Sequence, residues 1–277
     1  METADYLVAA IDAAARAGAA ILEVYGTDFG VDIKADRSPL TRADLAAHAV
    51  IRDRLRATAL PLLSEEGRDI PYDERRGWGR FWMVDPLDGT KEFVKRNGEF
   101  TVNIALIDDQ RPVLGVIFVP VSGACYFAAE ALGAYKVERV AAISAALDGW
   151  VEAPEAALER LLAVAHPLPL VGAAKRPFTV AASRSHVTDD LQRHLSALAA
   201  DHPDMVRISA GSSLKFCLVA EGAADKYPRL GPTMEWDTAA GQAIVACAGG
   251  RVVTYEEGDP LRYNKPDLHN PWFIVRR

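Results

Sequence analysis

The sequence predicts a mixed α and β protein with two subdomains, an α+β part over residues 1–140 and an α/β part over 141–277. Three observations predict it. Apolar residues recur at helical spacing near the start, four strand-like runs follow one another closely between residues 101 and 137, and the texture beyond about residue 140 alternates helix with strand. A chain of 277 residues, half of them hydrophobic and a quarter charged, has the composition of an ordinary globular protein with a sizeable core.

Each element has its own signal. Leu7, Ile11, Ala14, Gly18, Ile21 and Tyr25 share one helical face, and Gly26 follows as a stop, so a long packed helix is expected over residues 5–25. Val31 and Ile33 alternate with polar neighbours in a short strand, and residues 36–39 (Asp-Arg-Ser-Pro) make a turn. Thr41-Arg42-Ala43-Asp44 has the form of a capping box opening a second helix that runs to about residue 57. Residues 60–64 form a strand ending in Glu65-Glu66-Gly67, and 81–84 (Phe-Trp-Met-Val) a buried strand that ends at Asp85. Residues 90–95 open a helix. The runs 101–107, 113–119, 124–129 and 134–137 make an antiparallel meander, with Pro120-Val121-Ser122-Gly123 as one turn. An Ala-rich stretch with Trp150 follows, read over residues 137–175 as a surface insertion without assigned function. The remainder alternates a strand at 179–183, a helix at 189–200, a strand near Val206, a helix from Leu214 and a last helix over 237–248.

Composition narrows the partners. A formal net charge of −7 argues against long nucleic acid as the main partner but permits a small anion carried with a divalent cation. Cys125, Cys217 and Cys247 show no Cys-x-x-Cys spacing, which argues against a disulfide framework or zinc site and predicts free thiols in a reducing compartment. The chain opens Met-Glu-Thr-Ala-Asp, acidic where a secretion signal is basic, and no apolar run reaches membrane-spanning length. A cytoplasmic protein without an integral membrane segment is expected.

The chemistry concentrates in Asp85-Pro86-Leu87-Asp88-Gly89-Thr90-Lys91-Glu92-Phe93. Pro86 fixes a backbone angle and removes a donor, and Gly89 lets the chain approach a ligand closely. Asp44, Glu65, Asp85, Asp88 and Asp237 all fall at element boundaries. Each has a local explanation, as a cap partner, a solvated strand end or a helix N-terminal acid; only their convergence would mark a site. Converging carboxylates repel by about 1 to 4 kcal/mol per pair and require counter-cations. An all-oxygen donor set selects Mg2+ or Mn2+. Two such ions can clamp the attacking and leaving oxygens of a phosphoryl group, which makes phosphate ester hydrolysis the natural reaction.

Three motifs, Glu65-Glu66, Asp85-Pro86-Leu87-Asp88-Gly89-Thr90 and Trp236-Asp237-Thr238-Ala239-Ala240-Gly241, resemble those of the inositol monophosphatase superfamily of Mg2+-dependent, Li+-sensitive phosphatases. Lys91-Glu92-Phe93, residues 211–217 (Gly-Ser-Ser-Leu-Lys-Phe-Cys) and Tyr227-Pro228-Arg229 are similar to its CysQ branch, the 3'(2'),5'-bisphosphate nucleotidases. The resemblance implies a layered αβαβα sandwich of the inositol monophosphatase and fructose-1,6-bisphosphatase type. It implies hydrolysis of adenosine 3',5'-bisphosphate to AMP and phosphate in sulfur assimilation, without a covalent intermediate.

The same resemblance assigns roles. Glu65, Asp85 and the Leu87 carbonyl would bind one Mg2+, Asp85, Asp88 and Asp237 a second, and a third, weaker ion would sit near Glu65, with Mn2+ able to substitute. Asp44, Glu65 and Thr90 form the catalytic group, in which Thr90 orients the water and Asp44 accepts its proton through the threonine hydroxyl. Backbone N–H groups of Gly89 and Thr90 would hold the scissile phosphate. Lys91 and Asp237 would also touch substrate, His186 would approach the nucleoside, and Ser212, Lys215 and Arg229 would grip the second phosphate.

Two alternatives remain. Glu221, placed where inositol-specific members hold a sugar-recognising acid, keeps inositol phosphates in play, and a broader sugar phosphate or NADP phosphatase belongs to the same alternative. A non-catalytic metal or nucleotide sensor is the alternative of another class, weakened by the presence of both Asp44 and Thr90. Ser212-x-x-Lys215 also fits a serine acyl-transferase pattern, but the Ser-Asp-Asn and Lys-Thr-Gly partners are absent. Trp78 and Trp82 are read as core. A monomer or homodimer is expected, with peripheral attachment to the cytoplasmic face of the inner membrane left open.

Overall fold

Two β-sheets, both covered by helices, organise the chain in a computed structural model that describes residues 3–33, 39–170, 176–182 and 188–277. The larger sheet has seven strands in the order Leu62–Ser64, Arg80–Asp88, Thr101–Asp108, Arg111–Val119, Ala124–Ala129, Gly133–Val137 and His166–Pro167. The smaller has five, in the order Val206–Ser209, Thr179–Ala182, Lys226–Arg229, Phe273–Arg276 and Arg251–Thr254.

Alternation along the strands explains why the seven-stranded sheet is covered twice. Trp82 and Val84 face a core built with the helices Thr3–Tyr25 and Arg42–Leu55, whereas Phe81 and Met83 face a second core with Phe216, Ile244 and Phe273. The helices Leu214–Glu221 and Ala239–Cys247 therefore lie between the two sheets. Leu191, Leu195 and Leu198 of the helix Asp189–Asp201 close the far face of the small sheet against Val180 and Leu230. The layers are αβαβα, as the resemblance implies. Trp82 is fully buried, with its indole N–H donated to Thr58 Oγ1 at 2.9 Å and its ring edge-on to Tyr6, so it is core as expected. Trp78 is half-buried and packs on Phe81 with its ring tilted, at the margin of the second core.

Several boundaries differ from the sequence reading, each for a physical reason. The strand expected to end at Asp85 runs on to Asp88. Asp85 pairs with Asn103 and Asp88 with Thr101, so Pro86 and Leu87 stand opposite the single residue Val102. This is a bulge, and Pro86, having no N–H to give the ladder, suits it. The last helix starts later than expected, because Asp237 closes a separate 3-10 turn, Glu235–Asp237. The Ala-rich segment is not a surface insertion. Ile143, Ala157 and Leu161, from the helices Val140–Ala146 and Pro154–Val164, are fully buried in the core that contains the first helix. Cys125, Cys217 and Cys247 are free thiols, the first two buried. Among the described residues, no helix is long and apolar enough to cross a membrane.

Candidate active site

The bulge carries the site because it turns two carboxylates of one strand toward the same cleft. Asp85 is buried at 1% exposure, and its Oδ1 accepts the Leu87 N–H at 3.0 Å, which folds the bulge around it. Glu65 reaches the same level from the neighbouring strand. Leu62, Leu63 and Ser64 pair in parallel with Trp82, Met83 and Val84, and the Glu65 N–H continues the ladder to the Val84 carbonyl at 3.1 Å. Asp237 arrives from the other half of the chain, on a turn that its own Oδ2 closes by accepting the Met234 N–H at 2.8 Å. One carboxylate oxygen each from Glu65, Asp85 and Asp237 lies within 4.8 Å of the other two.

Electrostatics follows from this crowding. Asp85 is held well above the usual carboxylate range, chiefly by burial and then by the charges of Glu65, Asp88 and Asp237. Burial also pushes Asp88 up to about 6, against the pull of Lys215, and Asp237 up to about 8, with the Asp88 charge adding to the effect. The resistance of Asp85, Asp88 and Asp237 to ionisation is relieved by a cation. The donors are all oxygen, with the Leu87 carbonyl beside them in the same cleft, so they suit a hard divalent ion.

Asp44 and Thr90 stand next to this group. The Thr90 hydroxyl donates to Asp44 Oδ1 at 3.2 Å and lies 3.3 Å from the Leu87 carbonyl. Asp44 Oδ2 accepts both the N–H and the hydroxyl of Thr41, at 2.8 and 2.7 Å, which completes the expected capping box. Gly89 has φ of +90°, which strains any L side chain, and a Cβ there would crowd the Glu99 carbonyl at 3.1 Å.

The cleft, of about 490 Å³, continues from the carboxylates to Lys91, Ser212, Lys215 and Arg229. Lys215 is buried, and its ammonium donates to the carbonyls of Ala210 (3.1 Å) and Ser212 (2.6 Å), so it holds the 210–212 loop as well as facing the cleft. Burial lowers its pKa to about 8. Gly211 in that loop has no room for a Cβ, which would meet the Glu99 carbonyl at 2.7 Å. Arg229 donates one N–H to the Pro232 carbonyl at 2.8 Å, while its Nε is buried without a hydrogen-bond partner among the described residues.

The structure thus brings together Glu65, Asp85, Leu87, Asp88, Gly89, Thr90, Lys91, Ser212, Lys215, Arg229 and Asp237 in one cleft, with Asp44 behind Thr90. His186 lies outside the described residues. Glu221 does not line this cleft: its Oε1 accepts the Tyr126 hydroxyl at 2.7 Å and pairs with Lys136 at 2.8 Å. It is neutralised there, and the expectation that it reads a sugar is corrected.

Sequence reading missed Thr101, Asn103 and Ser213, a buried set joining the two halves. Ser213 Oγ donates to Asn103 Oδ1 at 2.8 Å and is 2.7 Å from Thr101 Oγ1, and Asn103 Nδ2 reaches toward Asp88 at 3.4 Å. The available signal was polar Thr101 and Asn103 at alternate positions in an otherwise apolar strand, on the face that meets the site.

A layered sandwich with an all-oxygen carboxylate cluster at a sheet bulge defines the class of metal-dependent phosphatases. The chain belongs to the inositol monophosphatase family, whose model matches residues 2–273. It is 47% identical over 268 residues, 95% of this chain and 96% of the relative, to the 3'(2'),5'-bisphosphate nucleotidase CysQ of Shigella flexneri. Against CysQ of Escherichia coli K12 the identity is 46% with the same coverage. Among solved structures, CysQ from Bacteroides thetaiotaomicron is similar at 49% identity and a TM-score of 0.89, covering 99% of this chain and 98% of that one. The inositol monophosphatase from Anabaena, at 22% identity and a TM-score of 0.67, covers 98% of this chain and 89% of its own and shares the fold.

Proposed function

We propose that this protein is a metal-dependent 3'(2'),5'-bisphosphate nucleotidase, which hydrolyses adenosine 3',5'-bisphosphate to AMP and phosphate in sulfur assimilation. The observation that carries the reading is the presence in one cleft of a carboxylate cluster together with two cationic side chains, Lys215 and Arg229. A substrate with one phosphate needs only the first. The buried Arg229 Nε, without a hydrogen-bond partner among the described residues, suits a second anionic group, and the similarity to CysQ enzymes across nearly the whole chain supports the same substrate.

Glu65, Asp85, the Leu87 carbonyl, Asp88 and Asp237 would hold two or three Mg2+ ions, or Mn2+ in their place. When bound, such ions neutralise phosphoryl charge and acidify the attacking water. The protein's own residues do the rest. Thr90, donating its proton to Asp44, keeps its oxygen lone pairs for the water's proton and so orients that water. Asp44, fixed by Thr41, is the base behind it. Gly89 brings the main chain close enough for its N–H and that of Thr90 to hold the scissile phosphate. Ser212, Lys215 and Arg229 hold the other phosphate, with Lys91 at the rim. No side chain in this scheme becomes covalently phosphorylated. The reading places the protein in the cytoplasm, as a monomer or homodimer.

The test is phosphate release from adenosine 3',5'-bisphosphate, inositol 1-phosphate, fructose 1,6-bisphosphate and NADP, side by side with Mg2+. The nucleotide is expected to be preferred by kcat/KM. Preference for any of the other three overturns the substrate assignment, and Mg2+-dependent nucleotide binding without turnover restores the sensor alternative.

A further inference from the structure

Glu65 and Asp237 come from distant parts of the chain, yet their oxygens lie within 4.8 Å, where like charges push them apart. Asp85 is fixed by a sheet ladder, whereas Asp237 rides on a single 3-10 turn that has little stiffness of its own. The turn packs on the strands Arg80–Asp88 and Thr101–Asp108 and on the helix Ala239–Cys247, and a strap outside the cleft adds a hydrogen-bonded tie from it to the segment that follows Glu65.

The segment that does so is residues 262–270, a stretch without helix or named strand. On one side it is tied to Arg75, which lies on the short helix Tyr72–Arg75 beyond Glu65 and is 3% exposed. The Arg75 guanidinium donates to Asn264 Oδ1 at 2.9 Å and to the carbonyls of Lys265 (2.7 Å) and Pro266 (3.1 Å), and Asn264 Nδ2 returns a bond to the Arg75 carbonyl at 2.8 Å. On the other side it is tied to Glu235, the fully buried first residue of the Asp237 turn. The Glu235 carboxylate accepts the N–H groups of Asn264 (2.5 Å) and Lys265 (3.0 Å) and the Lys265 ammonium (2.5 Å), and the Glu235 N–H donates to the Leu268 carbonyl at 2.9 Å. Asn270 adds bonds to the Met234 carbonyl at 2.6 Å and to Thr238 Oγ1 at 3.1 Å, on either side of the same turn.

We propose that Glu235 is a positioning residue for the metal cluster: by clamping the 262–270 strap, which Arg75 holds to the segment after Glu65, it sets where Asp237 stands relative to Glu65. A buried carboxylate is an expensive way to hold a turn, and a neutral side chain would serve for stability alone. A carboxylate that accepts two adjacent main-chain N–H groups and an ammonium gives both the stiffness and the fixed register that a repelling partner demands. The inference rests on the metal-dependent reading of the cleft.

The experiment is a Mn2+ titration followed by electron paramagnetic resonance of the free ion, on the full chain and on Glu235→Gln, with circular dichroism to confirm folding. Glu235→Gln keeps the shape but presents an amide to donors, and is expected to weaken Mn2+ binding on the order of 10- to 100-fold. Activity should then recover at raised Mg2+. Folded Glu235→Gln with Mn2+ affinity within about twofold of wild type overturns the proposal. Should that variant not fold, Asn264→Gly carries the test: it keeps the left-handed backbone (φ +64°) and the N–H to Glu235 but cuts the side-chain link to Arg75. A loss on the order of threefold to tenfold supports the strap, and unchanged affinity overturns it. Wild-type protein that binds no Mn2+ would instead remove the metal reading itself, which separates the two failures.

Discussion

Asp44 gives one carboxylate oxygen to Thr90 and the other to Thr41, so the side chain that caps the helix is also the one that accepts the Thr90 hydroxyl. Thr41 locks Oδ2, which leaves Oδ1 facing the Thr90 hydroxyl. In Asp44→Asn an amide replaces the acceptor, and in Thr90→Val the hydroxyl is lost with little change of shape. Both are expected to lower kcat by about 10²- to 10⁴-fold, the usual worth of a positioned acid or base, with KM for the bisphosphate little changed. Asp44→Asn should also cost about 1 kcal/mol of stability through the weakened cap, whereas Thr90→Val should not. Steady-state kinetics beside denaturant melts check this; an unimpaired kcat in Thr90→Val sinks the proton route.

The pH dependence of the metal-free protein has a definite sign. Asp88 and Asp237 are raised from an ordinary 3.8 to about 6 and about 8, so the folded chain binds protons that the unfolded chain releases. The stability these protonated groups contribute is full below about pH 4 and is lost as pH rises through 6 and then 8. For Asp88 alone this is on the order of 3 kcal/mol. In chelator, the protein should therefore melt higher at pH 5.5 than at pH 8. Saturating Mg2+ should reverse the order, because the ions bind the ionised forms and displace their protons. Calorimetric scans at the two pH values, with chelator and with Mg2+, decide it, and a chelated protein that is more stable at pH 8 contradicts the assignment.

Asp88→Asn follows from the same crowding. The substitution removes a charge that burial, and to a smaller extent Glu65, oppose, so the chelated variant is expected to melt at or above the wild-type temperature. Its hydrolytic activity should fall by roughly 10²-fold or more if Asp88 is a metal ligand as proposed. A variant that unfolds in chelator would mark Asp88 as a structural residue held by Asn103 and Lys215.

Much of this site was legible because its chemistry is local in sequence. The two carboxylates, the proline and the glycine of residues 85–89 are contiguous, and Asp44 announces itself through the Thr41 capping box. The bulge at Pro86 and Leu87 was not legible, since it depends on what strand Thr101–Asp108 offers across the ladder. The Ala-rich helices looked like an insertion because alanine carries little periodic signal, yet small side chains are what let Ala146 and Ala157 join the core around the first helix. Arg75, Asn264 and Glu235 were invisible for a different reason. Their partners are separated by up to 191 residues, and no spacing rule connects a buried arginine to a distant loop.

Li+ offers a test independent of any mutation. A monovalent ion held by these carboxylates in place of a divalent one would balance phosphoryl charge less well and slow product release, so inhibition at millimolar Li+ is expected. It should be uncompetitive toward substrate if Li+ acts after hydrolysis. Full activity in Li+ at limiting Mg2+ would count against the shared ion-binding arrangement.

Arg229 is the residue at which bisphosphate and monophosphate substrates are expected to part. One of its N–H groups is committed to the Pro232 carbonyl, and its buried Nε lacks a partner among the described residues, a cost of about 1 to 3 kcal/mol that a bound anion would recover. Arg229→Ala should therefore raise KM for adenosine 3',5'-bisphosphate by about 10- to 100-fold, the worth of a charge-assisted bond of roughly 1.5 to 3 kcal/mol. Turnover of AMP-sized substrates with a single phosphate should change by less than about threefold, since they have nothing to place there. Arg229→Lys should recover part of the loss, because it restores the charge without the fork. Equal losses on bisphosphate and monophosphate substrates would place Arg229 in the general architecture of the cleft and leave the second phosphate to Ser212 and Lys215.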